Sequence, residues 1–404
     1  MLVKVAALFS PKIKLGVEGR ENGIERMKLA LTNKDPRRPL AWFHAASLGE
    51  FEQGRPVIEA YKQQYPDHFI LLTFFSPSGY EIRKNYPGAD YICYLPIDSR
   101  ANVRRFLEVA QPRIAFFIKY EFWYNYLHEL RKSGCYVLSF SSIFRPGQIF
   151  FKPYGSLNRK MLRWIDHFFV QNEESVLLLK SIGIHNTSIA GDTRFDRVKT
   201  LAAQARNLPE ISRFKNEELC LIAGSVWPAD MQVIIPVLNQ LSGKLKAVIA
   251  PHEIKNEEIA SWQNQLNGST VRYSEIKAET KLEDFDYLMI DNIGMLSSLY
   301  KYGDMAYIGG SFGAGLHNIL EAATFWLPII FGNKSYARFQ EAINLEQLGG
   351  AFPVSGKEEI LEIIKTWLSE PECRISAGKI SERYVSSGTG ATAKIMEKVK
   401  TILG

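Results

Sequence analysis

Short apolar runs of about four to six residues alternate along the chain with longer stretches in which apolar positions recur every three or four residues. Buried parallel strands, each followed by a helix packed on the sheet, produce this alternation. In the first half, strands are predicted at Leu40–His44, Phe69–Phe74, Tyr91–Leu95, Ile114–Ile118, Tyr136–Phe140 and His167–Val170. In the second half they are predicted at Cys220–Ala223, Ala247–Ala250, Tyr287–Ile290, Met305–Ile308 and Leu327–Phe331. Between the two sets, Asp196–Leu219 is polar, lacks β character and contains Pro209, which makes it the expected linker. The predicted fold class is therefore α/β, with two domains of mostly parallel sheet and a cleft between them. The expected boundaries are a basic, partly apolar N-terminal segment over 1–38, a first domain over 39–195, a linker over 196–218 and a second domain over 219–385. Residues 386–404 are expected to end in an amphipathic helix, Ala391–Leu403, that packs back on the first domain.

A chain of 404 residues exceeds the size at which one core usually keeps growing, which agrees with two domains. Its 46% hydrophobic and 23% charged residues are those of a soluble globular protein. Cys93, Cys135, Cys220 and Cys373 show no C-x-x-C spacing, which argues against a zinc site or a disulfide framework. The apolar stretch Met1–Phe9 is too short to span a bilayer and lacks a cleavage site, so a cytoplasmic protein is expected. Residues 1–38 carry nine basic and four acidic side chains, a local charge of +5 out of the chain's +6. With Leu2, Val3, Val5, Leu8, Phe9, Ile13 and Leu15 interspersed, this segment is suited to peripheral contact with an anionic membrane surface. No basic stripe with interleaved aromatics is present, so nucleic acid is not an expected partner.

The run from Gly309 to Glu321 joins an apolar strand, a glycine-rich turn and the expected start of a helix. Glycines let backbone N–H groups approach an anion, and Glu321, one turn beyond His317 and Asn318, is placed to accept hydrogen bonds from a ribose diol. The run matches neither G-x-G-x-x-G at the first strand of a domain nor G-x-x-x-x-G-K-[ST], so it is not a standard dinucleotide or P-loop site. Two carboxylates follow strands in the first half. Glu50 lies in His44-Ala45-Ala46-Ser47-Leu48-Gly49-Glu50 at a helix start, with Ser47 as a possible cap, and is a candidate general base. Glu121 follows the apolar run Ile114–Ile118. His44, His252 and His317 each follow a predicted strand but have no metal-ligand spacing, and Asp284-Phe285-Asp286 precedes a strand, so no metal and no other cofactor are expected.

Taken in order, these segments resemble the 3-deoxy-D-manno-octulosonic acid (Kdo) transferases over nearly the whole chain. H-x-x-S-x-G-E is His44 to Glu50, a T-x-T-P-x-G-like turn is Thr73 to Gly79, and Y-L-P-x-D is Tyr94 to Asp98. E-x-E-x-W-P-N corresponds to Lys119 to Asn125, Q-x-E to Gln171 to Glu173, and G-x-x-K-F-D to Gly191 to Asp196. D-x-x-G-x-L matches Asp291 to Leu296, and G-G-x-H-N-x-L-E-x-A matches Gly315 to Ala322. The resemblance implies a GT-B architecture of two Rossmann-like domains, with the acceptor bound by the first and the nucleotide sugar by the second. It implies CMP-Kdo as donor, the glucosamine disaccharide of an anionic lipid A precursor as acceptor, and a location on the cytoplasmic face of the inner membrane. It makes Glu50 the base, gives Glu121 an essential acidic role, and gives His317, Asn318 and Glu321 nucleotide contacts. Ser225, His252, Gly294, Gly309, Gly310 and Gly315 are the other expected donor contacts, and Ser47, Gly49 and Ser76 the expected acceptor contacts.

The chain departs from the family pattern in three places. The first Glu of E-x-E is Lys119, and the proline after Trp123 is Tyr124. P-R-H is Ala250-Pro251-His252, without the arginine, for which Lys255 or Arg338 is a substitute. S-T-H becomes Ser225-Val226-Trp227, which keeps the serine and loses the histidine.

Overall fold

The structure, a computed structural model, describes residues 11–404 apart from 33 and 36. The chain forms two compact units. One runs to Arg197 and includes Gly388–Gly404, and the other is Val198–Ser387.

The sheet of the first unit is built from β1 (Leu40–Ala45), β2 (Phe69–Phe74), β3 (Tyr91–Tyr94), β4 (Ile114–Ile118), β5 (Tyr136–Ser142), β6 (His167–Val170) and β7 (Thr187–Ile189). Its order is β3-β2-β1-β4-β5-β6-β7, and all neighbours are parallel. The chain winds outward from β1 in one direction and then from β4 in the other, so the loops after β1 and β4 diverge and leave a crevice at their carboxyl ends. Residues along β1, β2 and β4 are buried throughout, as expected of strands covered on both faces. Helices Pro11–Glu18 and Gly23–Thr32 belong to this unit, and Met27 and Leu31 join its core.

The sheet of the second unit repeats the plan with β8 (Cys220–Val226), β9 (Lys246–Pro251), β10 (Thr270–Arg272), β11 (Tyr287–Met289), β12 (Met305–Ile308), β13 (Ile329–Gly332) and β14 (Ala351–Val354). Its order, β10-β11-β9-β8-β12-β13-β14, is again parallel throughout and puts the switch point between β8 and β12.

Residues 196–218 are not an irregular connection, because helices Thr193–Ala203 and Pro209–Lys215 occupy most of them. The polar composition that suggested a linker is that of half-exposed helices, with Ile211 and Phe214 turned into the core. Helix Ala391–Leu403 packs against helix Leu48–Gln64 within the first unit, burying Ala391, Ile395, Met396 and Val399. Both oxygens of Asp196 accept bonds at its N-terminus, from the N–H groups of Gly390 (2.6 Å) and Thr392 (2.7 Å).

Candidate active site

The first switch point brings Glu50 and Glu121 to adjacent strand ends, since Glu50 follows β1 and Glu121 follows β4. Glu50 lies in the first turn of helix Leu48–Gln64. Ser47 occupies the N-cap position but makes no capping bond, contrary to expectation. Its hydroxyl donates instead to Glu50 Oε2. Lys119 Nζ donates to the other oxygen, Oε1, at 3.2 Å. Burial works to raise the Glu50 pKa, but the Ser47 bond and the Lys119 ammonium outweigh it and hold the carboxyl below its usual range. Glu121 receives no hydrogen bond from any described residue. Burial, reinforced by the charge on Glu50, pushes its pKa up to about 7 despite Lys119. Two carboxyl groups whose environments drive their titrations apart are the arrangement acid–base chemistry needs.

A buried network supports them. His44, the last residue of the predicted strand Leu40–His44, is a fully buried member of β1 rather than a group open to a ligand. Trp123 Nε1 donates to His44 Nε2 at 3.2 Å, which puts the imidazole proton on Nδ1, 2.9 Å from Thr73 Oγ1. Burial lowers its pKa to about 3, so the ring is neutral and fixes Trp123 two residues after Glu121. Among the expected acceptor contacts, Gly49 is exposed in the same first turn as Glu50. Ser76 caps helix Pro77–Arg83, accepting from Ser78 N at 3.3 Å.

At the second switch point, the loops after β8 and β12 press together. A Cβ on Gly309 would lie 2.3 Å from the Ser225 carbonyl oxygen, so only glycine fits. Asp230, fully buried, ties the two loops. Oδ2 accepts from the N–H of Trp227 (2.8 Å) and of Gly310 (2.9 Å), and Oδ1 from Tyr307 OH (2.9 Å). Sequence reasoning missed Asp230 as a functional residue. Its signal was an acid three residues into a helix opened by Pro228. The indole of Trp227 and the rings of His252 and His317 form a stack, with centroids 4.4 Å apart between Trp227 and His252 and between His252 and His317. His317 lies half-buried, and burial together with His252 lowers its pKa to about 4.

The expected helix start is corrected here. Helix begins only at Leu320 and runs four residues to Ala323, so His317 and Asn318 precede it and its dipole has little to offer an anion. Asn318 Oδ1 accepts from Leu320 N at 3.2 Å, and its amide donates to Glu321 Oε1 at 3.1 Å. Gly315, at φ +113°, lies under Arg338, whose Nη2 would be 2.1 Å from a Cβ there. Lys255 is held by Glu253 (2.8 Å) and Glu258 (3.2 Å). Gly294 lies after β11, with its carbonyl accepting from Arg206 Nη2 at 2.8 Å, and a Cβ on Gly224 of β8 would lie 2.9 Å from Leu296 Cδ1, two residues beyond it.

Among the described residues no group of His, Cys, Asp or Glu is arranged to hold a metal ion. Asp286 of the Asp284–Asp286 triplet instead accepts from Ser269 N (2.8 Å) and Ser269 Oγ (2.9 Å). No helix among the described residues is long and apolar enough to cross a membrane. Residues 1–10 of the basic segment lie outside the described residues. Arg20, within the segment, turns inward, donating to the carbonyls of Leu95 (2.8 Å), Gly16 (2.6 Å) and Phe75 (2.5 Å) between the rings of Phe75 and Tyr94.

Two doubly wound parallel sheets, each with its chemistry-bearing loops at the switch point, define an α/β protein of the GT-B type. Among solved structures the chain is similar in fold to UDP-GlcNAc 2-epimerase from Neisseria meningitidis bound to UDP-GlcNAc. That similarity has a TM-score of 0.62 at 14% identity and covers 90% of this chain and 100% of that one. Residues 22–197 match the family model described as 3-Deoxy-D-manno-octulosonic-acid transferase (kdotransferase). The chain is 25% identical over 356 residues to the 3-deoxy-D-manno-octulosonic acid transferase of Chlamydophila psittaci, covering 83% of this chain and 79% of that protein. It is 26% identical over 334 residues to the protein of the same name from Aquifex aeolicus, covering 81% and 86%. The chain is thus similar to the Kdo transferases, to their family model over residues 22–197 and to the named relatives over about four fifths of its length.

Proposed function

We propose that the protein transfers Kdo from CMP-Kdo to the glucosamine disaccharide of a lipid A precursor in lipopolysaccharide synthesis, at the cytoplasmic face of the inner membrane. Glu50 takes the proton from the attacking acceptor hydroxyl as the anomeric carbon of Kdo loses CMP, and in-line attack inverts that centre. The observation that carries this reading is the pair of strand-end carboxyls: Glu50, held below its usual range, stays ionised, while Glu121, pushed up to about 7, keeps its proton to near neutrality. A glucosamine hydroxyl is a poor nucleophile until deprotonated, so an ionised carboxylate at the switch point is the group this reaction needs.

In the second unit, Ser225, Gly309, Gly310, Gly315, His252, His317, Asn318 and Glu321 bind the donor. The glycine loop gives its N–H groups to the phosphate and Glu321 takes the ribose hydroxyls. Gly294, whose loop follows β11 and meets Gly224 of β8 through Leu296, is the remaining donor contact. Ser47, which donates to Glu50, contacts the acceptor together with Gly49 and Ser76. CMP carries a single phosphate, so the charge that develops on departure is small enough for backbone amides and one cation to stabilise. Incubation with CMP-Kdo and a tetraacylated lipid A precursor, followed by mass spectrometry of the lipid, should add the mass of Kdo. Glu50→Gln should reduce turnover by roughly 10²-fold or more, the lower range for positioned acid–base groups. Turnover close to that of the parent would remove Glu50 from the role.

A further inference from the structure

Lys119 stands where the family pattern has an acid, and its backbone explains how it reaches Glu50. It follows the last residue of β4 with φ +63°, a left-handed conformation uncommon for a side-chain-bearing residue and held only where the surroundings enforce it. Two buried hydroxyls hold that bend. The Lys119 carbonyl accepts from Ser139 Oγ (2.9 Å) and from Ser142 Oγ (2.5 Å), and the two hydroxyls lie 2.7 Å apart. Ser142 reaches it because β5 has a register shift between Ser139 and Ser142, with Ser141 itself at φ +53°. A regular strand end would send the side chain elsewhere.

We propose that Lys119 is a positioning residue for Glu50: the bend clamped by Ser139 and Ser142 aims its ammonium at Glu50 Oε1, fixing the carboxylate in its ionised form and in one orientation. The inference rests on the reading of Glu50 as the base. Ser47 holds Oε2, so each oxygen has one fixed donor and keeps a lone pair for the acceptor hydroxyl. The ionisable groups around Glu50 are few: Lys119 at hydrogen-bond distance, Glu121 on the same loop, and His44 on β1, which is neutral above about pH 3 with Arg20 beyond it. Lys119 is thus the cation that, together with the Ser47 hydroxyl, offsets burial at Glu50.

The test is carboxyl ¹³C NMR of protein labelled at glutamate, with the Glu50 signal assigned by its loss in Glu50→Gln, alongside the pH profile of kcat/KM. Lys119→Met should raise the Glu50 titration and the acid limb of kcat/KM together by about one pH unit or more, the range expected for removing an opposite charge at this distance. The loss should fall mainly on kcat at low pH, and Lys119→Arg should restore the limb. Ser139→Ala with Ser142→Ala, which leaves every charge in place, should move the limb in the same direction by less, and decides the matter if Lys119→Met does not fold. An unmoved Glu50 titration in folded Lys119→Met, or in the double serine variant should that be the one to fold, overturns the inference. If Glu50→Gln is inactive while Lys119→Met titrates as the parent does, only the positioning role fails. If Glu50→Gln is active, the reading of Glu50 as base fails and takes this inference with it.

Discussion

Trp227 donates its indole N–H to His317 Nε2 at 3.0 Å, with the two ring planes 7° apart. The bond assigns the imidazole proton to Nδ1, and burial keeps the ring neutral down to about pH 4. Trp227 sits where the family pattern has a histidine, so an indole here does by donation what a second imidazole would do in only one of its tautomers. In the proposed donor site this leaves His317 with a single hydrogen-bonding face to offer the nucleotide.

Trp227→Phe should keep a ring against His252 but leave His317 Nε2 without its donor. Losing a hydrogen bond at a half-buried nitrogen costs about 1 kcal/mol, which corresponds to roughly a fivefold weaker affinity for CMP by calorimetry at pH 7. Affinity equal to the parent's would mean that the indole only stacks.

Glu121 links function to stability, and the sign of its pH dependence can be worked out. Its folded pKa, about 7, lies above the ordinary value of 4.5 because of burial and the charge of Glu50. Below pH 4.5 both folded and unfolded states hold the proton and nothing is lost. As pH rises through 4.5 to 7 the unfolded state ionises first, so stability falls, and the loss is complete above 7. Glu121→Gln should therefore unfold at a higher temperature than the parent at pH 8, by an amount on the order of 1 kcal/mol after allowing for its partial exposure, and at the same temperature near pH 4.5. Turnover should drop by roughly 10²-fold in the same variant. A variant that is inactive without being stabilised at pH 8 would place the strain of this site elsewhere.

The interior of both sheets was legible in the sequence because strands covered on two faces are mostly apolar: β4 and β12 are so throughout, and β1, β2, β8 and β9 carry His44, Thr73, Ser225 and Lys246 only at or next to an end. Only β7, β10 and β14 escaped, and all three are sheet edges. Thr187-Ser188-Ile189 and Thr270-Val271-Arg272 are too short and polar to form an apolar run, and Pro353 inside β14 is tolerated only because an edge strand can lack a ladder donor. Glu50 and Glu121 were legible for the same reason as the strands, since a polar residue just after a buried parallel strand lies at its functional end. What joins them was not. Lys119 reaches Glu50 across 69 positions, Trp123 reaches His44 across 79, and Asp230 reaches Gly310 across 80. No local pattern records such pairings. The G-x-x-K-F-D match is partly structural, for Asp192 accepts from Gln53 and Arg194 while Asp196 caps the last helix.

In the proposed donor site, Arg338 is the cation that would take over from the arginine missing before His252. Its guanidinium overlies Gly315 in the glycine loop, whereas the other basic residue considered, Lys255, already faces Glu253 and Glu258. A guanidinium exposed beside a loop of backbone donors recognises a phosphate through charge-assisted bonds, which are roughly twice as strong as neutral ones. Arg338→Gln should therefore weaken CMP binding by about tenfold, equivalent to ~1.4 kcal/mol, and leave cytidine, which lacks the phosphate, bound as before. Lys255→Gln should change neither. The Arg338 contribution should also shrink as salt rises, because an exposed charge is screened over about 8 Å at physiological ionic strength. Gly315→Ala offers an independent route to the same answer. Its methyl group would displace the guanidinium and force a left-handed backbone on alanine, so CMP affinity should fall at least as far as in Arg338→Gln, and adding Arg338→Gln should cost little more. Equal losses for CMP and cytidine in Arg338→Gln would instead assign the side chain to holding the loop rather than to the phosphate.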